Sequence, residues 1–131
     1  MTRKKVFIEQ AGGVSVVNFT HSSLFNPQQV EEVVTDLMAL VAEGECRGMV
    51  LDFGRVRSFS SAFLGSLLDL KRLCEERKVG LALTGLSERL LELMRKVHVD
   101  EVLMIFPSRA AAEAYLAEQT KLPGKTDGKD L

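Results

Sequence analysis

The stretch "VLDFGRVRSFSSAFLGSLLDLKRL", Val50 to Leu73, decides the fold of this chain. It overlaps the apolar run "GMVLDF", Gly48 to Phe53, which is typical of a strand covered on both faces. Beyond a serine-containing corner, leucines recur at helical spacing, which predicts an amphipathic helix. These are Leu64, Leu67, Leu68, Leu70 and Leu73. A buried strand that leads directly into a helix indicates an α/β domain.

The sequence before this stretch predicts a hairpin followed by a helix. The segments "VFIEQ" and "VSVVNF" are rich in β-forming residues, and "AGG" between them supplies a turn. After the loop "THSSLFNP", Asn26 and Pro27 predict an N-cap with proline at the first helical position. Apolar residues then recur at helical spacing as far as Gly44, where the helix is expected to end.

The sequence after it continues the alternation of strands and helices. "VGLALT" predicts a strand, Ser87 the cap of a third helix, and "VLMIF" (residues 102–106) a last short strand. A final helix is expected from Arg109 to about Glu118. The order β-β-α-β-α-β-α-β-α predicts a mixed sheet with right-handed crossovers and about four helices, packed mainly on one face.

The domain organisation is simple. A length of 131 residues suits one domain with one core. The end of the chain, "TKLPGKTDGKDL", loses the apolar periodicity and carries proline, glycine and charges. We therefore expect a folded domain over residues 1–119 and a flexible tail over residues 120–131.

Composition excludes several classes of function. The formal net charge of −1 argues against a nucleic-acid partner, which would call for a basic field. No apolar run is long enough to span a membrane, and "MTRKKVFIEQAGG" lacks the long apolar segment of a signal peptide, so a cytoplasmic location is expected. Two cysteines and two histidines, far apart in sequence, predict neither a metal site nor a cofactor.

The corner of the opening stretch carries a cluster of three serines, Ser58, Ser60 and Ser61. The simplest interpretation is structural, because serine is a favoured N-cap and either Ser60 or Ser61 would satisfy the first N–H groups of the following helix. That role explains one serine better than it explains three.

A catalytic serine is a remote alternative. A nucleophile on a strand-to-helix turn is found in α/β-hydrolases, where glycines flank it. Here Phe59 and Phe63 flank Ser61, so the same sharp elbow is not available. A triad also needs a histidine held by a carboxylate, and His98 with Asp100 is the pair that the sequence offers.

A regulated phosphoacceptor is the third interpretation. A phosphate at a helix N-terminus meets exposed N–H donors and the positive end of the helix dipole, so the fold tolerates it. Ser61 is the candidate acceptor, and Phe59, Phe63 and Leu64 are expected to form an apolar rim around it that suits protein docking. A doubly charged group there would have to be desolvated on binding.

These segments resemble the STAS domain, which anti-sigma-factor antagonists share with the cytoplasmic tails of sulphate transporters. The resemblance covers about Val6 to Glu118. It is carried by "GMVLDFGRV" leading into "SFSSAFLGSLLDLKR", by "VGLALTGLSERLLELMRKVHVDEVLMIF", and by the β-β-α opening. The resemblance implies a small mixed sheet with helices mostly on one side.

The serine corner is similar to the family motif Asp-Ser-Ser/Thr-Gly-Leu-Gly, in which a partner kinase phosphorylates the serine after the aspartate. The resemblance places Ser60 at the aspartate position and Ser61 at the phosphoacceptor position. Ala62 replaces the second hydroxyl and Phe63 the first glycine, while Leu64-Gly65 is kept.

The resemblance implies a non-catalytic regulator that binds a serine kinase/anti-sigma factor and releases a sigma factor. Phosphorylation of Ser61 would end that binding. The expected partner surface joins the corner to the "THSSLFNP" loop. It comprises Ser58, Phe59, Ser60, Ser61, Ala62, Phe63, Leu64, Gly65, Ser23, Leu24, Phe25 and Asn26.

A second role on the same fold stays open. The domain would be a constitutive scaffold subunit, in a sensory complex or in a membrane-lipid transporter. The missing aspartate and glycine of the corner favour this role over the phosphorylation cycle.

Overall fold

The computed structural model describes residues 6–44 and 46–121. The element order follows the predicted alternation of strands and helices, with two additional short strands. The strands are β1 (Val6–Ala11), β2 (Val14–Phe19), β3 (Ser23–Leu24), β4 (Gly48–Asp52), β5 (Ser58–Phe59), β6 (Gly80–Thr84) and β7 (Ile105–Phe106). The helices are α1 (Pro27–Glu43), α2 (Ser61–Arg77), α3 (Glu88–Lys96) and α4 (Arg109–Lys121).

Five of the strands form a mixed sheet in the order β1-β2-β4-β6-β7. β1 and β2 are an antiparallel hairpin, and each of the other neighbouring pairs is parallel. The parallel strands end at one edge of the sheet, and the loops that follow β4 and β6 approach each other closely there. A Cβ placed on Gly85 would lie 2.7 Å from the Asp52 carboxylate and 2.7 Å from the Gly54 backbone nitrogen.

The two faces of the sheet have separate cores. On one face, α1, α2 and α3 cover a large core that includes Ile8, Phe19, Met49 and Leu83 from the strands. On the other face, α4 packs Ala112 and Leu116 against a smaller apolar cluster from β2, β4 and β6, formed by Val14, Val16, Val50 and Ala82. The predicted α/β class, with a mixed sheet and helices mainly on one face, is confirmed.

Capping follows the sequence at the predicted positions. The Asn26 side chain accepts hydrogen bonds from the backbone N–H groups of Gln28 and Gln29, at 2.9 and 3.1 Å, and Pro27 begins α1. The Ser87 hydroxyl accepts from the Leu90 N–H at 3.2 Å. The predicted helix starts at these two residues are therefore confirmed.

The structure differs from the sequence-based expectation towards the end of the chain. The predicted strand over residues 102–106 is only Ile105–Phe106, because the N–H groups of Val102 and Leu103 donate to the Val99 carbonyl and continue the turn that begins as the 3₁₀ helix Val99–Glu101. The last helix extends to Lys121, so it includes two residues that were predicted to belong to the tail. The remainder of the predicted tail, residues 122–131, lies outside the described residues. No helix in the described part of the chain is long and apolar enough to cross a membrane.

Candidate functional site

The serine corner and the "THSSLFNP" loop form one hydrogen-bonded unit. β3 in the loop and β5 in the corner pair as a short parallel ladder that is separate from the main sheet. Beside this ladder, the Arg57 N–H donates to the Ser22 carbonyl at 2.7 Å, and the Ser60 N–H donates to the Leu24 carbonyl at 3.2 Å. The serine corner and the "THSSLFNP" loop, which were predicted to form one surface, are therefore neighbours.

Ser60 and Ser61 occupy different positions at the start of α2. Ser60 is the N-cap, and its hydroxyl accepts a hydrogen bond from the Phe63 N–H at 3.2 Å. Ser61 is the first helical residue and is exposed. Its hydroxyl makes no hydrogen bond to another described residue. The capping role and the accessible hydroxyl thus belong to separate serines.

Small residues continue the exposed surface from Ser61 along α2. Ala62 and Gly65 are both exposed, and Gly65 lies one helical turn beyond Ser61 on the same side of the helix. A Cβ added to Gly65 would meet nothing within 4 Å. A partner can therefore approach the α2 backbone closely at this point.

The predicted apolar rim around Ser61 is wrong. Phe59, Phe63 and Leu64 are 2%, 0% and 3% exposed, and all three belong to the large core. The rings of Phe59 and Phe63 lie 5.3 Å apart and pack with those of Phe53 and Phe19. Because Phe63 points inwards, its bulk does not obstruct the surface next to Ser61. These three residues position the corner from beneath.

The loop residues also divide between core and surface. Leu24 is fully buried, whereas Ser23 is exposed. The Asn26 side chain is engaged in capping α1. Phe25 is 53% exposed and is the aromatic ring that the loop presents to solvent. The exposed part of the predicted surface is therefore smaller and more polar than expected, and Phe25 is its main apolar group.

A groove of about 300 Å³ separates this unit from α3, and no sequence pattern predicted it. Phe25 and Ser58 line one side, and residues of α3 line the other. Three exposed cations border the groove: Arg57 from the corner, and Arg89 and Lys96 from α3. Because the cations come from two segments far apart in sequence, no spacing pattern marks them.

The catalytic interpretation of Ser61 gains no support from the contacts of His98. The His98 Nδ1 lies 2.9 Å from a carboxylate oxygen of Glu101, and both side chains are exposed. No hydrogen bond joins Ser61 to a histidine among the described residues. Within residues 6–44 and 46–121, no three histidine, cysteine or acidic side chains are grouped to hold a metal ion.

Comparison with known proteins assigns this arrangement to one family. The family model described as "Mlab, STAS domain" matches residues 20–105, which is more than half of the chain. A search of curated protein sequences finds no match.

Solved structures share the fold at low sequence identity. An anti-sigma-factor antagonist (STAS) domain protein from Planctomyces limnophilus is 22% identical with a TM-score of 0.75, over 88% of this chain and 100% of that one. The phosphorylated form of the cell fate determinant SpoIIAA from Bacillus is 16% identical with a TM-score of 0.63, over 84% and 98%. A sulfate transporter family protein from Wolinella succinogenes is 22% identical with a TM-score of 0.69, over 83% and 88%.

Proposed function

Because the chain belongs to the STAS domain family, we propose that it is a non-catalytic regulator that binds another protein through the corner between β5 and α2. The surface consists of the exposed residues Ser61, Ala62 and Gly65 of α2 together with Ser23 and Phe25 of the neighbouring loop. In this role the buried residues of the corner, Phe59, Phe63 and Leu64, hold the surface in place and do not touch the partner.

The partner in this proposal is a serine kinase/anti-sigma factor, and phosphorylation of Ser61 ends the binding. Sequestering that partner would release a sigma factor in the cytoplasm of a bacterium. The observation that carries the proposal is the exposed Ser61 hydroxyl at the first position of α2. A phosphate there would add roughly −1.5 to −2 charges without melting the helix, because the helix N-terminus favours negative charge. The added charge would instead disfavour a docked partner by its desolvation cost.

Structural neighbours support this proposal at the level of the fold. They include anti-sigma-factor antagonists, one of which, SpoIIAA, has been determined in its phosphorylated form. The corner of this chain keeps the hydroxyl at the position that the family motif gives to the phosphoacceptor, Ser61.

The proposal is tested by capturing the partner from native lysate with immobilised protein and identifying it by mass spectrometry. We expect the wild-type chain and Ser61→Ala to capture the same kinase-type protein, and Ser61→Asp to lose it. Incubation of the wild-type chain with that partner and ATP should add one phosphate, and Ser61→Ala should accept none.

Gly65→Gln is a second probe that leaves the hydroxyl intact. Because a Cβ at position 65 would meet nothing within 4 Å and glutamine favours a helix more than glycine does, the variant should be at least as stable as the wild type. It should nevertheless weaken capture, since its side chain would stand on the partner surface. If Ser61→Asp and Gly65→Gln both capture the partner as well as the wild type does, the proposed surface is wrong.

A constitutive scaffold subunit is the second candidate function. It is favoured by Ser60 and Phe63, which replace the aspartate and the glycine of the motif, and by the likeness to a sulfate transporter family protein. Native mass spectrometry of the complex purified from cells distinguishes the two roles. A stable assembly without phosphate in every growth condition supports the scaffold, whereas a phosphate on Ser61 in one condition supports the switch.

A further inference from the structure

The groove beside the corner has a chemistry that the proposed function does not explain. We propose that it binds an acidic segment of the partner protein, with one apolar side chain of that segment against Phe25. This inference rests on the proposed function, because it names the chemistry of the partner that binds the same surface. The groove bordered by Phe25, Arg57, Ser58 and α3 is called the basic groove below.

The basic groove continues the proposed partner surface onto α3. Ser58 lines it, and Ser58 is two residues before the N-cap of α2, so a partner seated on Ser61 lies next to it. Its floor is apolar, because Phe59 and Leu90 are buried beneath it. A volume of about 300 Å³ suits a few side chains of a bound segment rather than a large ligand.

The basic groove carries three cations without an ion pair among the residues that the structure describes. Arg57, Arg89 and Lys96 form no ion pair with any carboxylate in the described part of the chain, and Glu92 is the one acidic residue among its lining residues. Three cations elsewhere on the helices form local ion pairs, whereas Arg77 and Arg95 form none in the described part of the chain. Lys71 pairs with Glu75, Arg72 with Asp69, and Arg109 with Glu9 and Glu113.

Unpaired cations around an apolar floor favour an acidic peptide. Opposite charges across an interface steer association and set orientation, and an apolar side chain on the exposed Phe25 ring would add contact area. A nucleic acid fits less well for two reasons. Duplex binders neutralise many phosphates, whereas here three cations are accompanied by Glu92 and the chain is acidic overall.

The inference is tested by NMR titration of the full chain, labelled with ¹⁵N, with a synthetic peptide. The peptide consists of glutamate and aspartate residues around one central leucine, and the control replaces every acid by its amide. We expect the acidic peptide to shift the amide signals of Phe25, Arg57, Arg89 and Lys96. Its affinity should fall at least tenfold between about 50 and about 300 mM salt, because the contacts are partly exposed. The amide control should not bind.

Charge reversal on the protein supplies the matched variants. The double variant Arg89→Glu/Lys96→Glu should weaken peptide binding at least tenfold. Arg47→Glu should bind normally, because Arg47 precedes β4 and so lies at the opposite end of the sheet from the corner. All these positions are exposed, and thermal unfolding should confirm that the variants stay folded.

Three outcomes overturn the inference. They are the absence of binding at about 1 mM peptide, equal binding of the amide control, and signal shifts at the same residues with a 20-base-pair DNA duplex in place of the peptide. Failure here leaves the proposed function standing if Ser61→Asp still loses the captured partner. If the peptide binds the basic groove but Ser61→Asp changes nothing, the phosphorylation switch fails and the acidic-segment site remains.

Discussion

Ser60 and Ser61 are adjacent in sequence, yet their hydroxyls have different roles. The Ser60 hydroxyl satisfies the Phe63 N–H, one of the N–H groups that a helix start leaves without an intrahelical acceptor. The Ser61 hydroxyl is exposed and is not needed for that task. Ser60 therefore stabilises the start of α2, and the Ser61 hydroxyl remains accessible for modification.

This division predicts unequal effects of two alanine substitutions. Ser60→Ala should lower the free energy of unfolding by about 1 kcal/mol, because an N-cap acceptor is lost. Ser61→Ala should change it by less than about 0.5 kcal/mol, as expected for an exposed side chain without a hydrogen bond to another described residue. Urea unfolding followed by circular dichroism measures both. Equal losses for the two variants would contradict the assignment of the cap.

Gly65 gives a second prediction at the scale of a residue. It lies inside α2, where glycine costs about 0.5–1 kcal/mol relative to alanine, and a Cβ there meets nothing within 4 Å. Gly65→Ala should therefore raise the free energy of unfolding by about that amount. Gly85→Ala is the contrasting control, because its Cβ would meet backbone at 2.7 Å and its φ is +79°. That variant should be destabilised.

The buried position of Phe63 could have been predicted from the sequence. Phe63, Leu67, Leu70 and Cys74 follow one another at three- or four-residue spacing and form the buried stripe of α2. The same periodicity that predicts the helix therefore places Phe63 inside it. An apolar rim at the surface conflicts with this pattern, and the structure follows the pattern.

At the scale of elements, α4 stands apart from the other helices because it covers the second face of the sheet alone. It is tied to the sheet edge through Arg109, which pairs with Glu9 of β1 and Glu113 of α4. The hydrogen bond from Arg109 lowers the pKa of the Glu9 carboxyl below its ordinary value, and the nearby positive charge adds to this effect. The link therefore depends on an ionised Glu9.

The lowered pKa of Glu9 predicts the sign of a pH effect. Above the ordinary carboxyl pKa, Glu9 is ionised in both states and its stabilising contribution is fully present. As the pH falls through the lowered pKa of the folded state, that contribution is lost. The difference in unfolding free energy between the wild type and Glu9→Gln should thus be larger at pH 7 than at pH 3.

Urea unfolding at several pH values measures this difference. Glu76→Gln is the control, since Glu76 is exposed and has no ion pair in the described part of the chain. Its difference from the wild type should vary less with pH. A Glu9→Gln difference that grows on acidification would contradict the proposed link.

The order of elements was predictable because each long helix and each main strand carries its own periodicity. The family resemblance, the mixed sheet and the starts of α1 and α3 are confirmed for this reason. β3 and β5 were not predictable, because two residues show no period and their pairing joins segments more than thirty residues apart. The basic groove was missed for the same reason: tertiary structure brings its sides together.

At the scale of the whole molecule, the reactivity of the two cysteines indicates whether the large core is closed. Cys46 and Cys74 form no disulfide within the described residues, and they are 5% and 1% exposed. Burial raises the pKa of the Cys74 thiol to about 12, and the neighbouring Cys46 adds to the effect. The reactive thiolate is thus disfavoured as long as the core is closed.

Thiol labelling should therefore follow opening of the core. At pH 8 Ellman's reagent should modify the native chain far more slowly than the chain in guanidinium chloride, and both thiols should react once it unfolds. Variants that lower the free energy of unfolding, such as Ser60→Ala, should speed up labelling of the native chain in proportion. Rapid modification of either thiol under native conditions would contradict the buried positions.

The ladder between β3 and β5 has a consequence for the kinetics of recognition. It fixes the loop that bears Phe25 against the corner that bears Ser61 before any encounter takes place. A preorganised surface pays little ordering entropy on association, and rigid-body docking without a slow isomerisation step is then expected. Complex formation should accordingly follow a single exponential whose rate rises linearly with partner concentration.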